Sequence, residues 1–274
     1  MMNEWSYEGL MNRRDFLMTG LAAGALSLGG LASLSTLSAC SVGVEGAVVI
    51  PTKPLAGHWG MVVDVQLFNE RRIAQKVVEA CHKPHNVPNI DIPRFEVKWI
   101  WQDDFEHCFA GMDNEFLTSR VKELKFPVLC NHCQQPACVL NCPTKATFQR
   151  PDGIVDMDYH RCIGCRFCMT ACPYGARSHN FLDPRAFLEE VNPKYPTRTD
   201  GVVEKCNFCV ERLSVGLKPY CVEASEGAIL FGDLDDPQSE VRKALEQRLS
   251  IRRLAELGTE PSVYYLLRDG EAHV

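Results

Sequence analysis

The chain has 274 residues, is 46% hydrophobic and carries a formal net charge of −6. That length suits one sizeable domain or two small ones. No basic block stands out, so nothing points to nucleic acid as a partner. The unusual feature is fourteen cysteines.

Residues 1–40 read as a targeting segment and are set apart from the fold. Asn12-Arg13-Arg14-Asp15-Phe16-Leu17 is a twin-arginine signal, and an uncharged run follows from Leu17 to Ala39. Met11 offers an alternative start beside it. Glycines and serines dilute the run, which argues against a stable membrane span. It ends in Leu37-Ser38-Ala39-Cys40, a lipobox-like sequence with Cys40 as the candidate lipidation site. A lipid there would hold the protein on the periplasmic side of a membrane without crossing it.

Further along, Val62 to Val65 alternates and reads as a strand, and Glu70 to Cys81 as a helix. Ile90 to Trp101 is proline-flanked and then β-rich. Phe105 to Phe116 is irregular, and Thr118 to Leu124 is a short helix candidate. Ala146 to Met157 predicts a hairpin turning at Asp152-Gly153. Pro184 to Thr199 is a loop-rich insert. Ser239 to Leu257 has helical periodicity ended by Gly258, and Leu257 to Leu267 reads as a tail packed back on the core. Most of this is loop, so bound cofactors are expected to supply much of the core.

Cys162-x2-Cys165-x2-Cys168-x3-Cys172-Pro173 is the run that binds a [4Fe–4S] cluster in bacterial ferredoxins. Cys130-x2-Cys133-x4-Cys138-x3-Cys142-Pro143 is a near copy. A cubane takes one thiolate at each iron corner, and a C-x2-C-x2-C loop reaches three. The last cysteine starts a helix that points away and ligates the other cluster of the pair. Cys130, Cys133, Cys138 and Cys172 are therefore expected to hold one cluster. Cys162, Cys165, Cys168 and Cys142 hold its partner, in a core with pseudo-twofold symmetry. Cys206-x2-Cys209-x11-Cys221 and the lone Cys81 remain. Cysteine pairs this dense are metal loops more often than disulfides. The twin-arginine route moves folded proteins, so clusters can be built before export.

The stretch from Cys130 to Cys221 resembles the iron–sulfur subunits of the dimethyl-sulfoxide-reductase type, which have four cysteine motifs and four clusters. The first motif in that family ends A-C-x-x-x-N-x-x-P, and Ala80-Cys81-His82-Lys83-Pro84-His85-Asn86-Val87-Pro88 matches it. Counting back from Cys81 places Arg71, Ala74 and Val77 where three cysteines belong. The closing cysteine of the fourth motif falls at Ser225. The resemblance implies that these four positions serve one cluster, which is cleanly lost, and that Cys81 joins Cys206, Cys209 and Cys221. Three [4Fe–4S] clusters are thus expected.

A narrower resemblance is to the exported iron–sulfur subunits of Dsr-type membrane complexes, associated with sulfite reduction. Asp158-Tyr159-His160-Arg161-Cys162-Ile163-Gly164-Cys165-Arg166-Phe167-Cys168 carries it, as do Thr197 to Cys206 and the leader. It implies a multi-spanning quinone-reactive membrane subunit, a cytochrome c subunit and a cytoplasm-facing pair as partners. The implied fold is α+β, with interlocked ferredoxin-like units and one degenerate site. The central two-cluster domain is 125–183, inserted between outer halves at 41–124 and 184–238. A helix and tail at 239–274 complete the chain.

Cys108 has no partner by spacing and reads as a buried inert thiol. His132 suits tuning of a cluster better than ligation. His82 and His85 read as surface or loop histidines. Arg161, Arg166, Lys205 and Arg212 adjoin ligands and either raise a cluster potential or are ordinary solvated charges. Ile163, Phe167, Val139 and Phe208 are expected to wall clusters from water. No catalytic constellation is visible, and thiolates on every iron leave no position for substrate. The reading is an electron-transfer subunit without its own substrate site. The rivals are the same role in an exported molybdopterin oxidoreductase or a hydrogenase, and a structural zinc module.

Overall fold

A computed structural model describes residues 57–267; the twin-arginine segment and Cys40 lie outside them. β1 (Trp59–Asp64) runs directly into α1 (Val65–Arg71) because Asp64 caps the helix, its Oδ1 accepting the Leu67 N–H at 3.0 Å. α2 (Ala74–His82) follows. The pattern predicts one helix over Glu70–Cys81, but the chain makes two. Arg72 adopts a left-handed φ of 52° and its N–H closes on the Asn69 carbonyl, which ends α1.

β2 (Ile100–Asp104), α3 (Phe105–Cys108), α4 (Ser119–Lys122) and β3 (Lys125–Leu129) come next, with β2 and β3 antiparallel from Ile100↔Leu129 to Asp104↔Lys125. The central region holds α5 (Ala137–Leu140), β4 (Thr147–Gln149), β5 (Val155–Met157), α6 (Phe167–Thr170) and β6 (Ser178–His179). β4 and β5 form the expected hairpin, and β6 pairs with β7 (Val203–Glu204) across the long insert. α7 (Val210–Leu213), α8 (Tyr220–Ala224), β8 (Ile229–Asp233), α9 (Glu240–Gln247), β9 (Ser250–Ile251) and β10 (Val263–Leu266) finish the described chain. The molecule is mixed α/β and loop-rich.

The two cysteine runs of the central region repeat each other down to single hydrogen bonds. Cys142 N–H donates to Val139 O at 3.2 Å, and Cys172 N–H to Met169 O at 3.3 Å. Lys145 N–H donates to Cys142 O at 3.2 Å, and Gly175 N–H to Cys172 O at 3.4 Å. Lys145 and Gly175 both have left-handed φ, 55° and 62°. Aligned from the last cysteine of each run, Cys138 matches Cys168 and Thr147 matches Arg177.

A four-stranded sheet ordered β8-β1-β10-β9 joins the two ends of the described chain. β1 is antiparallel to β8 and parallel to β10, with Met61 opposite both Phe231 and Val263. The C-terminal segment is thus more than a tail: β10 is an inner strand. The helix predicted to reach Leu257 ends at Gln247, because Arg248 turns extended and the chain enters β9. Just before β10 the backbone is bonded to the first cysteine loop. Gln134 N–H meets Glu260 O at 2.9 Å, Gln135 N–H meets Thr259 O at 3.0 Å, and Ser262 N–H meets Asn131 O at 2.9 Å. Beneath the sheet, Phe105, Phe109, Phe126 and Tyr265 pack edge and face, with centroids 5.1–6.1 Å apart. Cys108 is buried in this group, and burial pushes its thiol up to about 12. Among the described residues no helix is long and apolar enough to cross a membrane.

Candidate metal centres

Three C-x2-C loops bend back on themselves at the same point, and the overlapping Cys165–Cys168 loop bends one residue earlier, at Arg166 with φ 63°. His132, Gly164 and Phe208, each directly before the second cysteine, have φ of 42°, 67° and 56°. Left-handed backbone costs a residue with a side chain about 1–2 kcal/mol, and only one of the three is glycine. The strain turns the backbone so that two cysteines of one loop face one space.

At the first site, Cys130, Cys133, Cys138 and Cys172 come together. Burial pushes the Cys133 thiol up to about 12, and the thiols of Cys130, Cys138 and Cys172 push the same way. Thr259, from the C-terminal segment, opposes this with a hydrogen bond to Cys133. At the second site, Cys142, Cys162, Cys165 and Cys168 line one cavity with Met157 and Val203. Cys142 Sγ accepts the Thr147 N–H at 3.5 Å. Cys165 is exposed. At the third site, Cys81, Cys206, Cys209 and Cys221 are all buried. Burial, followed by the thiols of Cys206, Cys209 and Cys221, raises Cys81 well above its ordinary value. Cys206 Sγ accepts the Phe208 N–H at 3.4 Å.

These surroundings fit a negatively charged, sulfur-rich group. Packed thiols raised by one another cannot all ionise unless metal takes the charge. Two buried cations stand among them without a carboxylate partner. Lys205 Nζ is held by the Val155 carbonyl and by Cys206 O at 2.7 Å. Arg177 Nη2 donates to Cys138 Sγ at 3.0 Å, and Nη1 to Thr147 Oγ1 at 3.1 Å and Met157 Sδ at 3.5 Å. Both are buried. His132 Nε2 and the whole Asn131 amide are also buried without a hydrogen-bond partner. Isolated charges and orphaned donors are costly inside a protein unless an acceptor faces them.

Arg71, Ala74, Val77 and Ser225 sit in ordinary packing. Val77 is buried in α2, which packs against α8, and Ala74 opens that helix. Ser225 is fully buried, and its hydroxyl donates to Val222 O at 2.7 Å and accepts from Ile229 N–H at 3.0 Å. Arg71 bonds to the Glu226 carbonyl, and Lys76 Nζ meets Glu226 Oε1 at 2.6 Å.

Four expectations change. His85 is no surface residue. It is fully buried, stacked on Trp99 at 4.8 Å, and its Nε2 lies 2.9 Å from Glu211 Oε1. His82 is more than half buried as well, and burial holds its imidazole down at about 4. Lys205 is a buried charge, not a solvated one. Ile163 lines the second-site cavity although it is 67% exposed, Phe167 is 60% exposed and lies outside that lining, and Phe208 is buried and stacks on His132 at 3.6 Å. Arg161 pairs with Asp158 at 3.2 Å and Arg212 meets Glu223. Arg166 lies over the Phe181 ring. Val139 is half-buried.

Sequence reasoning passed over Glu211 and Asn207, which adjoin the third site. Burial pushes the Glu211 carboxyl up, but hydrogen bonds from His85 and Asn207 outweigh this and leave it below its ordinary value. A ring nitrogen of His85, the Cys209 sulfur and a Glu211 oxygen lie within 4.8 Å of one another. Arg177 was passed over too, since no cysteine adjoins it in sequence.

Residues 121–183 match the 4Fe-4S dicluster domain family. The chain is 41% identical to the Hdr-like menaquinol oxidoreductase iron-sulfur subunit 1 of Archaeoglobus fulgidus, over 96% of this chain and 100% of that one. It is 32% identical to a subunit of the selenate reductase of Mesobacillus selenatarsenatis, over 93% and 97% of the two chains. It is 33% identical to the iron-sulfur cluster-binding subunit of the menaquinone reductase of Nitratidesulfovibrio vulgaris, over 77% and 89%. With its thiol sets and these similarities, the chain belongs to the family of ferredoxin-type [4Fe–4S] iron–sulfur subunits of molybdoenzyme and Hdr-like menaquinol oxidoreductase complexes.

Proposed function

We propose that the chain is the periplasm-facing relay of a Dsr-type membrane complex of sulfur metabolism, the subunit called DsrO, working through three [4Fe–4S] clusters. A [4Fe–4S] cluster supplies one-electron chemistry when bound. The chain's own residues would hold each cluster by four thiolates, shape the surrounding charge and keep water from the buried sites. The observation that carries the count of three is the third site. Cys81 is buried beside Cys206, Cys209 and Cys221, while Arg71, Ala74, Val77 and Ser225 offer no thiol. In this reading 125–183 is the two-cluster domain, and the segments around it make an outer unit with one cluster. Export follows the twin-arginine route, with a lipid on Cys40. The partners are a multi-spanning quinone-reactive subunit and a cytochrome c subunit. The similarity to menaquinol and menaquinone oxidoreductase subunits supports the quinone partner.

The relative named for selenate reductase favours a second reading, the electron subunit of an exported molybdopterin oxidoreductase. Co-purification separates the two: a haem c protein supports the first, and a molybdopterin subunit overturns it.

The deciding measurement on the chain itself is iron and acid-labile sulfide on anaerobically purified protein. Three clusters require about twelve of each per chain. About eight would show that Cys81 does not complete a third cluster. Stoichiometric zinc without iron would overturn the relay.

A further inference from the structure

Two [4Fe–4S] sites related by a pseudo-twofold axis, with matching ligand loops, would have similar reduction potentials unless something breaks the symmetry. The side chains five residues after the last cysteine of each run do so. After Cys142 that residue is Thr147, and after Cys172 it is Arg177. The two meet across the axis, Arg177 Nη1 donating to Thr147 Oγ1 at 3.1 Å. One neutral hydroxyl and one guanidinium thus occupy equivalent places.

Arg177 does not share its charge equally. Its Nη2 donates to Cys138 Sγ at 3.0 Å; it also reaches Cys168, the symmetry mate of Cys138, by charge and a hydrogen bond, but Cys138 acts on it more strongly. Burial disfavours the Arg177 charge, but Cys138, then Cys130 and then Cys168 outweigh it and hold the charge more firmly than in water. The first two belong to the first site. Only 4% of the residue is exposed, and none of its hydrogen-bond partners is a carboxylate. A buried guanidinium without a counter-carboxylate finds its compensation in the thiolates it faces. Met157 Sδ at 3.5 Å and Thr147 fix the plane of its fork.

We infer that Arg177 is a positioning residue that splits the potentials of the two pseudo-symmetric clusters, raising the first site above the second. Reduction adds negative charge to a cluster. A cation and a hydrogen bond on a ligating sulfur stabilise the reduced form, and both raise potential. The first site therefore keeps the electron at equilibrium, and the more exposed second site, with Cys165 at the surface, passes it on readily. This inference rests on the proposed relay, in which both sites hold clusters.

The test is a potentiometric titration followed by EPR on the full chain, with Cys165→Ser used to mark the second-site signal. In the wild type the first-site signal should appear at the higher potential. Arg177→Met, which keeps bulk and removes charge and donor, should weaken first-site reduction at least tenfold, about 59 mV for one electron, and move the second site less. An unmoved first site, or a larger fall at the second, overturns the inference. If Arg177→Met fails to load iron, Arg177→Lys decides. It keeps charge but loses the planar fork, so a smaller fall confined to the first site is expected, and no change overturns the role. Iron content keeps the two ideas separable. A wild type without iron at these sites ends the relay, whereas loaded clusters with unmoved potentials end only the role of Arg177.

Discussion

Gly164 is the one glycine among the three residues at the bend of a C-x2-C loop, and the structure gives a reason beyond its φ of 67°. A Cβ there would collide with the Gly201 carbonyl and touch the His179 ring at 3.2 Å. Gly164→Ala should therefore weaken the second site by more than the 1–2 kcal/mol or so of left-handed strain, read as faster loss of its EPR signal on dilution with a chelator. The ligand crossing is tested at the same scale. Cys142→Ala should remove the cluster of Cys162, Cys165 and Cys168; loss confined to the Cys130, Cys133 and Cys138 signal would show that the crossing is wrong. His82 provides a pH handle. Its imidazole titrates near 6.5 in an unfolded chain and at about 4 in the fold. Between those values the unfolded chain binds the proton and the folded chain does not. Its stabilising contribution is full above about pH 6.5 and is lost as pH falls toward 4, by about 1.4 kcal/mol per unit. His82→Leu should flatten that part of an anaerobic stability profile. Which cysteines of one run can share a metal is legible in sequence because a short loop fixes which sulfurs can meet, whereas Cys81 is placed with Cys206, Cys209 and Cys221 by the resemblance alone. Arg177, Glu211 and His85 are not, because their partners lie up to 126 residues away.

At the scale of elements, α2 occupies the stretch where the resemblance expects a cluster-binding loop. The spacing locates Arg71, Ala74, Val77 and Ser225 but not what surrounds them. The packing does: Val77 is buried against α8, and Glu226 ties down Arg71 and Lys76. Ser225→Cys should not restore a fourth cluster, since its three partner positions carry no sulfur. Iron should stay near twelve per chain, and a gain of about four would show that the site is latent. Val77→Ala should cost about 2 kcal/mol of unfolding free energy, as for a buried aliphatic truncated at a helix contact, read from the unfolding midpoint. The break at Arg72 and the early stop at Gln247 were hidden from periodicity. Apolar spacing continues through both points, whereas the break at Arg72 is a local left-handed turn closing on Asn69 and the stop at Gln247 comes with the pairing of β9 with β10.

At the scale of the molecule, Cys81, Cys130, Cys206 and Cys221 are buried within the main apolar core. The described strands are short, and the longest described helix has nine residues. Chelating the iron should therefore collapse the near-ultraviolet circular dichroism along with the visible absorbance, in one transition; a folded, colourless chain would show that the polypeptide holds its shape alone. The C-terminal strand bears on this too. β10 lies between β1 and β9, and the residues before it close over the Asn131–Gln135 loop. They reach the loop from more than a hundred residues away, and contacts between residues far apart in sequence form late. The first cysteine loop thus gains its backstop only once β10 has docked. Until then its sulfurs sit on an unsupported loop, so metal capture at the first site should follow the closing of the sheet.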